Sequence, residues 1–227
     1  MANTEQLLKK NLNQLSSKFN LEYFIVNMKE ISNMFEFEQQ RLYALLSNSE
    51  LEYLEQLKIY KNKVQWVSGR YVVKQAFFKY KLSSKSLIDL SCIDVVKGQN
   101  SEPYILQYPN VNVSITHSYP YCIGIVSEKN IGIDLEKINA PEDSLIKFFF
   151  SEREKEILID INDSNQYNIK SINLWTRKEA VSKLLKLGMK MNFKKLDVID
   201  DELICNGVIK LFTYVCNDFS LTLAIDS

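Results

Sequence analysis

Two short segments, about forty residues apart, hold the side chains with the most distinctive chemistry. In residues 131–136, Asp134 and Glu136 stand two apart in a run that otherwise has the apolar character of a buried strand. In residues 175–183, Glu179 and Lys183 stand four apart in a helical pattern. Residues two apart share one face of a strand, and residues four apart share one side of a helix. Three carboxylates and a lysine brought together would bind a divalent cation and a phosphate group.

Each pair also has a more ordinary interpretation. An isolated Asp-x-Glu is more often a solvated strand face, and a Glu/Lys pair four apart is more often an exposed ion pair. Trp175, one turn before Glu179, favours a site, because tryptophan is expected at an interior edge. Gly132 favours it as well, since a residue without a side chain lets a ligand approach closely. Oxygen ligands of this kind suit Mg2+.

His117 is the single histidine of the chain and lies between two hydroxyl residues, Thr116 and Ser118. Such a histidine is more often a turn residue or a hydrogen-bonded core group, but hydroxyls on both sides make a phosphate-binding cluster plausible. No Gly-x-Ser-x-Gly elbow, phosphate-binding P-loop or Gly-x-Gly-x-x-Gly segment is present. The sequence therefore gives no support to a hydrolase triad or to either nucleotide-binding motif.

The elements that must position these residues follow from capping and periodicity. A capping box, Ser47 with Glu50 or Ser49 with Glu52, predicts the start of one helix, and Ser151 with Glu154 predicts another. Long helices are predicted over residues 64 to about 81 and 171–187, the second ending near Gly188. Strands are predicted at 21–26, 93–96, 103–106, 111–116, 121–127, 131–136, 208–215 and 219–225.

The second half of the chain repeats part of the order of the first. The two long helices align without gaps at three positions, four residues apart in each: Trp66, Arg70 and Lys74 in one, Trp175, Glu179 and Lys183 in the other. We therefore expect an α+β fold in which two similar α/β subdomains form a pseudo-twofold dimer within one chain, with the active site at their interface. Residues 1–130 would form the N-terminal half and residues 131–227 the C-terminal half. Arg70 would then face an anionic ligand.

Composition limits the partners and the location. The 227 residues hold 28 basic and 28 acidic side chains, a balance that argues against a nucleic-acid partner. No apolar run is long enough to cross a membrane, and the first twenty residues lack the apolar segment of a signal peptide. The four cysteines show no metal-binding spacing. We expect a cytoplasmic protein with no membrane partner.

In this order, the segments resemble the 4'-phosphopantetheinyl transferases, specifically the larger pseudo-dimeric type that activates peptide and polyketide synthases. The resemblance rests on a G-I-D-x-E segment at 131–136 and a W-x-x-K-E-A-x-x-K segment at 175–183, and it runs from about residue 45 to 200. Weaker matches are a G-R-x-x-x-K helix at 69–74, a serine-histidine segment at 112–118 and an F-F-S-x-x-E segment at 149–154. Glu102 departs from the family, which usually has a basic residue there to contact a phosphate of coenzyme A. Thr116 stands where the family usually has serine.

The resemblance implies that the phosphopantetheinyl group moves from coenzyme A to a serine of an apo acyl- or peptidyl-carrier protein, and that 3',5'-ADP leaves. It implies Mg2+ bound by Asp134, Glu136 and Glu179. Glu179, or a water on the metal, would accept the serine proton, and Lys183 would stabilise charge on the phosphoryl oxygens. The residues implied to bind coenzyme A are Lys61, Arg70, Thr116, His117, Asp134 and Lys183.

Two other functions remain open from the sequence. A metal-dependent pyrophosphate hydrolase would need the same acids and would cleave coenzyme A without a carrier protein. A non-catalytic homologue would only bind the carrier protein or coenzyme A, although the intact acids and Lys183 argue against it. Because a two-fold chain makes its own cleft, we expect a monomer.

Overall fold

The chain divides into two compact units in the computed structural model, which describes residues 3–83, 86, 88–205 and 207–227. One unit comprises residues 12–129, called here the N-terminal unit; the other comprises residues 1–11 and 130–227, called the C-terminal unit. The helices are α1 (Thr4–Phe19), α2 (Met28–Phe37), α3 (Gln39–Tyr43), α4 (Asn48–Gln56), α5 (Tyr60–Ser83), α6 (Asp143–Phe149), α7 (Glu152–Ile159) and α8 (Ser164–Leu184). The strands are β1 (Glu22–Asn27), β2 (Val95–Lys97), β3 (Pro103–Ile105), β4 (Asn112–Ser118), β5 (Tyr121–Ser127), β6 (Ile131–Lys137), β7 (Glu202–Ile204), β8 (Val208–Cys216) and β9 (Phe219–Asp226).

The N-terminal unit is a five-stranded antiparallel sheet covered by the long helix α5. The strand order is β1-β5-β4-β3-β2, so the first strand pairs with the last one of its unit. Gly124 lies in β5 directly under the helix, where a Cβ atom would come within 2.9 Å of the Val72 carbonyl carbon and the Val73 nitrogen. The absence of a side chain at Gly124 therefore lets α5 pack closely on the sheet.

The C-terminal unit is built on the same plan with four antiparallel strands, in the order β6-β9-β8-β7. Helix α8 packs across β6 and β9. A Cβ atom on Gly132 of β6 would lie 1.9 Å from the Ala180 carbonyl oxygen and 2.6 Å from the Leu184 nitrogen. The expectation that Gly132 leaves room for a ligand is wrong, because the backbone of α8 occupies that space.

A buried ion pair ties helices α4 and α5 of the N-terminal unit to its sheet. Glu50 closes the capping box of α4 by accepting a hydrogen bond from the Ser47 nitrogen, and its other oxygen accepts from the Val95 nitrogen. The Lys74 Nζ atom lies 2.5 Å from Glu50, and both side chains are almost fully buried. Lys74 also donates hydrogen bonds to the carbonyl oxygens of Leu45 and Leu90.

The C-terminal unit contains an equivalent buried ion pair, formed by Glu154 and Lys178. Glu154 closes the capping box of α7 on Ser151 and accepts from the Val198 nitrogen. The Lys178 Nζ atom lies 2.8 Å from Glu154, with both side chains fully buried. It also donates to the carbonyl oxygens of Phe193 and Leu196. Two buried charges placed together in this way are costly to separate, so the pair fixes how α8 lies on the unit.

The repeated ion pair corrects the helix alignment made from the sequence. Glutamate and lysine stand 24 residues apart in both units, as Glu50 with Lys74 and Glu154 with Lys178. The counterpart of Lys74 is therefore Lys178, and the alignment of Lys74 with Lys183 is wrong. The expected α+β class with two subdomains is confirmed. The assignment of functional contributions to residues 1–130 and 131–227 stays a prediction.

Helix α8 differs from the sequence-based expectation at both ends. Helix α8 begins seven residues earlier than expected, because the Asp163 side chain accepts a hydrogen bond from the Gln166 nitrogen and caps it. It ends at Leu184 rather than near Gly188, and Lys186 takes the left-handed conformation, with φ of 56°, just after the helix. Helices α1, α2, α3 and α6 and strand β7 were not expected. Within the described parts of the chain, every helix is too short or too polar to cross a membrane.

Candidate active site

Strand β6 presents its polar side chains to helix α8. Gly132, Asp134 and Glu136 lie on one face of the strand because alternate residues point the same way. Since Gly132 lies directly against the helix backbone, this is the face that α8 covers. The strand ends its buried stretch at Leu135, and Glu136 is only partly buried. The two carboxylates therefore lie where the covered face opens toward solvent.

Asp134 and Lys183 form the centre of the site. The Lys183 Nζ atom lies 2.6 Å from Asp134 Oδ1 and also donates to the Ile133 carbonyl oxygen at 3.1 Å. Asp134 is 3% exposed, whereas the Lys183 side chain is 27% exposed. A lysine ammonium has three donors. Two of them are used here, and one is left for a ligand oxygen on the open side.

Glu136 and Glu179 lie in the electrostatic field of this pair. Burial raises the pKa of Glu179 to about 7, with a further increase from Asp134 and a partial offset from Lys183. Burial likewise raises the pKa of Glu136 to about 7, with Asp134 and Glu179 adding to the increase and Lys183 opposing it. Both glutamates therefore exchange protons near neutral pH, where an ordinary glutamate would be fully ionised.

The donor chemistry fits a hard divalent cation. Three carboxylates offer oxygen ligands, and a cation would offset the repulsion that helps to raise the two glutamate pKa values. Among the described residues, however, no three His, Cys, Asp or Glu side chains converge closely enough to form a ready metal site. The assignment of Asp134, Glu136 and Glu179 as metal ligands stays a prediction.

Arg70 lies in the N-terminal unit, on α5, and is largely buried. Its guanidinium carbon lies 4.2 Å from the centre of the Trp66 ring, and its Nη2 atom donates to the Val95 carbonyl oxygen. Its Nε atom is buried without a hydrogen-bond partner among the described residues. Burial lowers the pKa of Arg70, which Glu50 and Tyr53 partly offset. The side chain is thus held rigidly as a buried cation.

The three other residues expected to bind coenzyme A also belong to the N-terminal unit. Thr116 and His117 are consecutive in β4, so they lie on opposite faces, Thr116 buried and His117 exposed. A Gln65 amide nitrogen lies 2.6 Å from the His117 Nε2 atom. Lys61 is exposed in the first turn of α5. The structure thus brings Asp134, Glu136, Glu179 and Lys183 together within one unit and holds the other four in the second unit.

A buried hydroxyl cluster under α8 was not predicted from the sequence. Thr176 Oγ1 lies 3.0 Å from Ser220 Oγ and 3.0 Å from Thr222 Oγ1, and all three residues are fully buried. Ser220 and Thr222 are the residues of β9 that pair with Glu136 and Asp134 of β6. The sequence does contain a signal for this cluster, because polar residues at 220 and 222 alternate with leucines at 221 and 223 and so share one face of a strand.

Comparison with known proteins finds a match to a family model within this unit. Residues 130–221 match the family model of the 4'-phosphopantetheinyl transferase superfamily. This region lies within the C-terminal unit. It contains both segments on which the sequence resemblance rests, and the resemblance is confirmed. The length of 227 residues fits the larger type of the family.

Two curated bacterial proteins are similar to part of the chain. The 4'-phosphopantetheinyl transferase psf-1 of Bacillus pumilus is 29% identical over 90 residues, which cover 40% of this chain and 38% of that protein. A 4'-phosphopantetheinyl transferase of Bacillus subtilis is 30% identical over 97 residues, 43% of each chain. The chain thus matches only about two fifths of the length of these relatives.

Solved structures similar to the chain include two holo-(acyl-carrier-protein) synthases. The one from Bacillus anthracis, in complex with CoA (3',5'-ADP), is 20% identical with a TM-score of 0.40, over 47% of this chain and 91% of that one. The one from Helicobacter pylori, in complex with coenzyme A, is 22% identical with a TM-score of 0.37, over 47% of this chain and 96% of that one.

Proposed function

We propose that this protein transfers the 4'-phosphopantetheine group from coenzyme A to a serine of an apo acyl- or peptidyl-carrier protein, with Mg2+, and releases 3',5'-ADP. One observation carries the proposal. The region that matches the transferase superfamily holds an ion pair between buried Asp134 and partly exposed Lys183, beside two glutamates whose pKa values are raised to about 7. Cytoplasmic location and a monomeric state stay predictions.

Glu179 is suited to take the proton of the acceptor serine. The serine oxygen would attack the phosphorus that carries pantetheine, a new phosphorus–oxygen bond would form, and the bond to 3',5'-ADP would break. A general base works best when its pKa lies near the working pH, and the pKa of Glu179 is raised to about 7. We propose that Glu179 accepts the serine proton as the new bond forms.

Lys183 is suited to hold the phosphoryl group. Its ammonium is fixed by Asp134 and the Ile133 carbonyl, which leaves one N–H for a phosphoryl oxygen. A donor held in place before the reaction stabilises developing charge without the cost of reorganisation. Asp134 would thus orient Lys183 as well as serve as a ligand. Mg2+, held by Asp134, Glu136 and Glu179, would neutralise negative charge on the pyrophosphate.

The remaining contacts to coenzyme A are proposed for the N-terminal unit. Arg70 is a buried cation with an unused Nε donor, and Lys61 is an exposed cation on the same helix. His117 is exposed at the end of β4, beside the buried Thr116. Cations and imidazole or hydroxyl donors are the groups that bind phosphate esters. We propose that these four residues bind the phosphates of coenzyme A.

The test is the release of 3',5'-ADP from coenzyme A and Mg2+, with and without an apo carrier protein. If the protein is a transferase with Glu179 as its base, release of 3',5'-ADP should require the carrier protein. The rate of release should fall at least a hundredfold in Glu179→Gln. The matched control is Glu156→Gln, which changes an exposed glutamate of the same unit and should have no effect. Release without the carrier would instead identify a hydrolase, and no release with any carrier would contradict the proposal.

A further inference from the structure

A polar pocket separate from the candidate active site lies in the C-terminal unit, between α8 and β8. It has a volume of about 360 Å³. Its polar lining comes from Lys170, Asn173 and Arg177 of α8, from Thr213 and Tyr214 of β8, and from Asp201, which directly precedes β7. It contains none of the acids or the lysine of the candidate active site.

The pocket opens on a different side of the helix from the candidate active site. Arg177 and Glu179 are two residues apart, so their side chains leave α8 about 200° apart. Lys170, Asn173 and Arg177 are spaced by three and four residues, so they form a separate stripe along the helix. A ligand in this pocket would therefore not touch Glu179 or Lys183.

Arg177 is the main cation of the pocket, and its donors are only partly used. The residue is 8% exposed, and its Nη2 atom donates to the Asp200 carbonyl oxygen and to Asp201 Oδ1, both at 2.7 Å. Its Nε atom is buried without a hydrogen-bond partner among the described residues. An arginine fork with unused donors matches the oxygens of a carboxylate or a phosphate. The Asp201 carboxylate, which is 82% exposed, already binds one edge of the Arg177 guanidinium.

Two neutral donors and a second cation face the same space. Lys170 is half-buried and forms no ion pair or hydrogen bond with a described residue. Asn173 uses its Oδ1 atom to accept from Ser220, which leaves its amide N–H groups as donors. Burial raises the pKa of Tyr214, so its phenol stays protonated and can donate at neutral pH.

From these contacts we propose that the pocket binds a tetrahedral oxyanion, inorganic phosphate or the phosphate of a monoester. Two cations stand against one carboxylate, so the pocket favours an anion. Donors from Arg177, Lys170, Asn173 and Tyr214 exceed what the two oxygens of a carboxylate can satisfy, whereas phosphate has enough acceptors. The ligand would compete with the exposed Asp201 side chain for Arg177.

The test is a calorimetric titration of the whole protein with inorganic phosphate, without Mg2+ or coenzyme A. Lys170→Gln should raise the Kd about tenfold, the loss expected for one charge-assisted hydrogen bond. Tyr214→Phe should raise it about fivefold, and Asp201→Asn should lower it because a competing carboxylate is removed. The matched control is Lys147→Gln, which removes an exposed lysine of the same unit.

Each outcome decides the question. Weaker binding in Lys170→Gln and Tyr214→Phe, tighter binding in Asp201→Asn and no change in Lys147→Gln would support the site. Loss of binding in Lys183→Gln, with Lys170→Gln unaffected, would place the phosphate at the candidate active site and overturn the proposal. No binding, or equal loss in Lys170→Gln and Lys147→Gln, would also overturn it. Thermal melting without phosphate checks that each variant is folded.

Discussion

Replacing Lys178 by methionine tests how the candidate catalytic helix is held. Lys178 is fully buried, and its Nζ atom contacts Glu154 at 2.8 Å and the carbonyl oxygens of Phe193 and Leu196. Methionine fills much of the same space but leaves the Glu154 carboxylate and two carbonyl groups without their donor. Removal of one partner from a buried ion pair costs about 3–5 kcal/mol. We expect Lys178→Met to lower the free energy of unfolding by that amount.

The assay is urea unfolding, followed by far-UV circular dichroism and tryptophan fluorescence. The double variant Lys178→Met with Glu154→Gln should recover about half of the loss, because the buried charge is gone while glutamine still caps α7. Lys155→Met is the matched control: its pair with Glu152 is as short, at 2.7 Å, but Glu152 is 83% exposed. If Lys178→Met cost no more than Lys155→Met, or if the double variant were no more stable than the single one, the reasoning would be refuted.

Three further predictions concern the site itself. Because the folded-state pKa of Glu136 is about 7 against an ordinary 4.5, the protonated carboxyl stabilises the folded protein at low pH, and this contribution is lost as pH rises through that interval. After a discount for its exposed part, Glu136→Gln should therefore stabilise the metal-free protein by about 1–2 kcal/mol at pH 8 and not at pH 4, measured by urea unfolding. Mg2+ at ten times its Kd should raise the free energy of unfolding by about 1.4 kcal/mol and Tm by about 3–5 °C at pH 8. Asp134→Asn should abolish this rise, and an equal rise in the variant would exclude Asp134 as a ligand. Gly132→Ala should destabilise by at least about 3 kcal/mol, because its Cβ would overlap the Ala180 carbonyl oxygen, and a melting temperature within 2 °C or so of wild type would contradict that packing.

The sequence predicted most of the local structure that surrounds the site. The capping boxes at Ser47 and Ser151 are strong local signals, and both are present in the structure. The alternation in residues 131–136 correctly predicted a strand with its acids on one face. Helix α1 was missed although Leu8, Leu12 and Leu15 follow a helical spacing and are buried. Because the rest of α1 is polar, these three leucines were not recognised as the buried face of a helix.

What the sequence could not supply is the contact between distant elements. The spacing of Glu179 and Lys183 alone left an exposed helical ion pair open as the ordinary alternative, and only the structure shows that Lys183 contacts Asp134, 49 residues away. The match between Trp66 and Trp175 favoured one helix alignment, and only the buried partners of Lys74 and Lys178 revealed the other. Side-chain partners far apart in the chain depend on packing, which neither periodicity nor spacing encodes.

The most direct test of the proposed function is the intact mass of an apo carrier protein after incubation with this protein, coenzyme A and Mg2+. The carrier should gain the mass of one phosphopantetheinyl group, on a serine. The gain should disappear in EDTA and in Glu179→Gln and persist in Glu156→Gln. An unchanged mass across fatty-acid, peptidyl and polyketide carriers, or an equal gain with Glu179→Gln, would contradict the account.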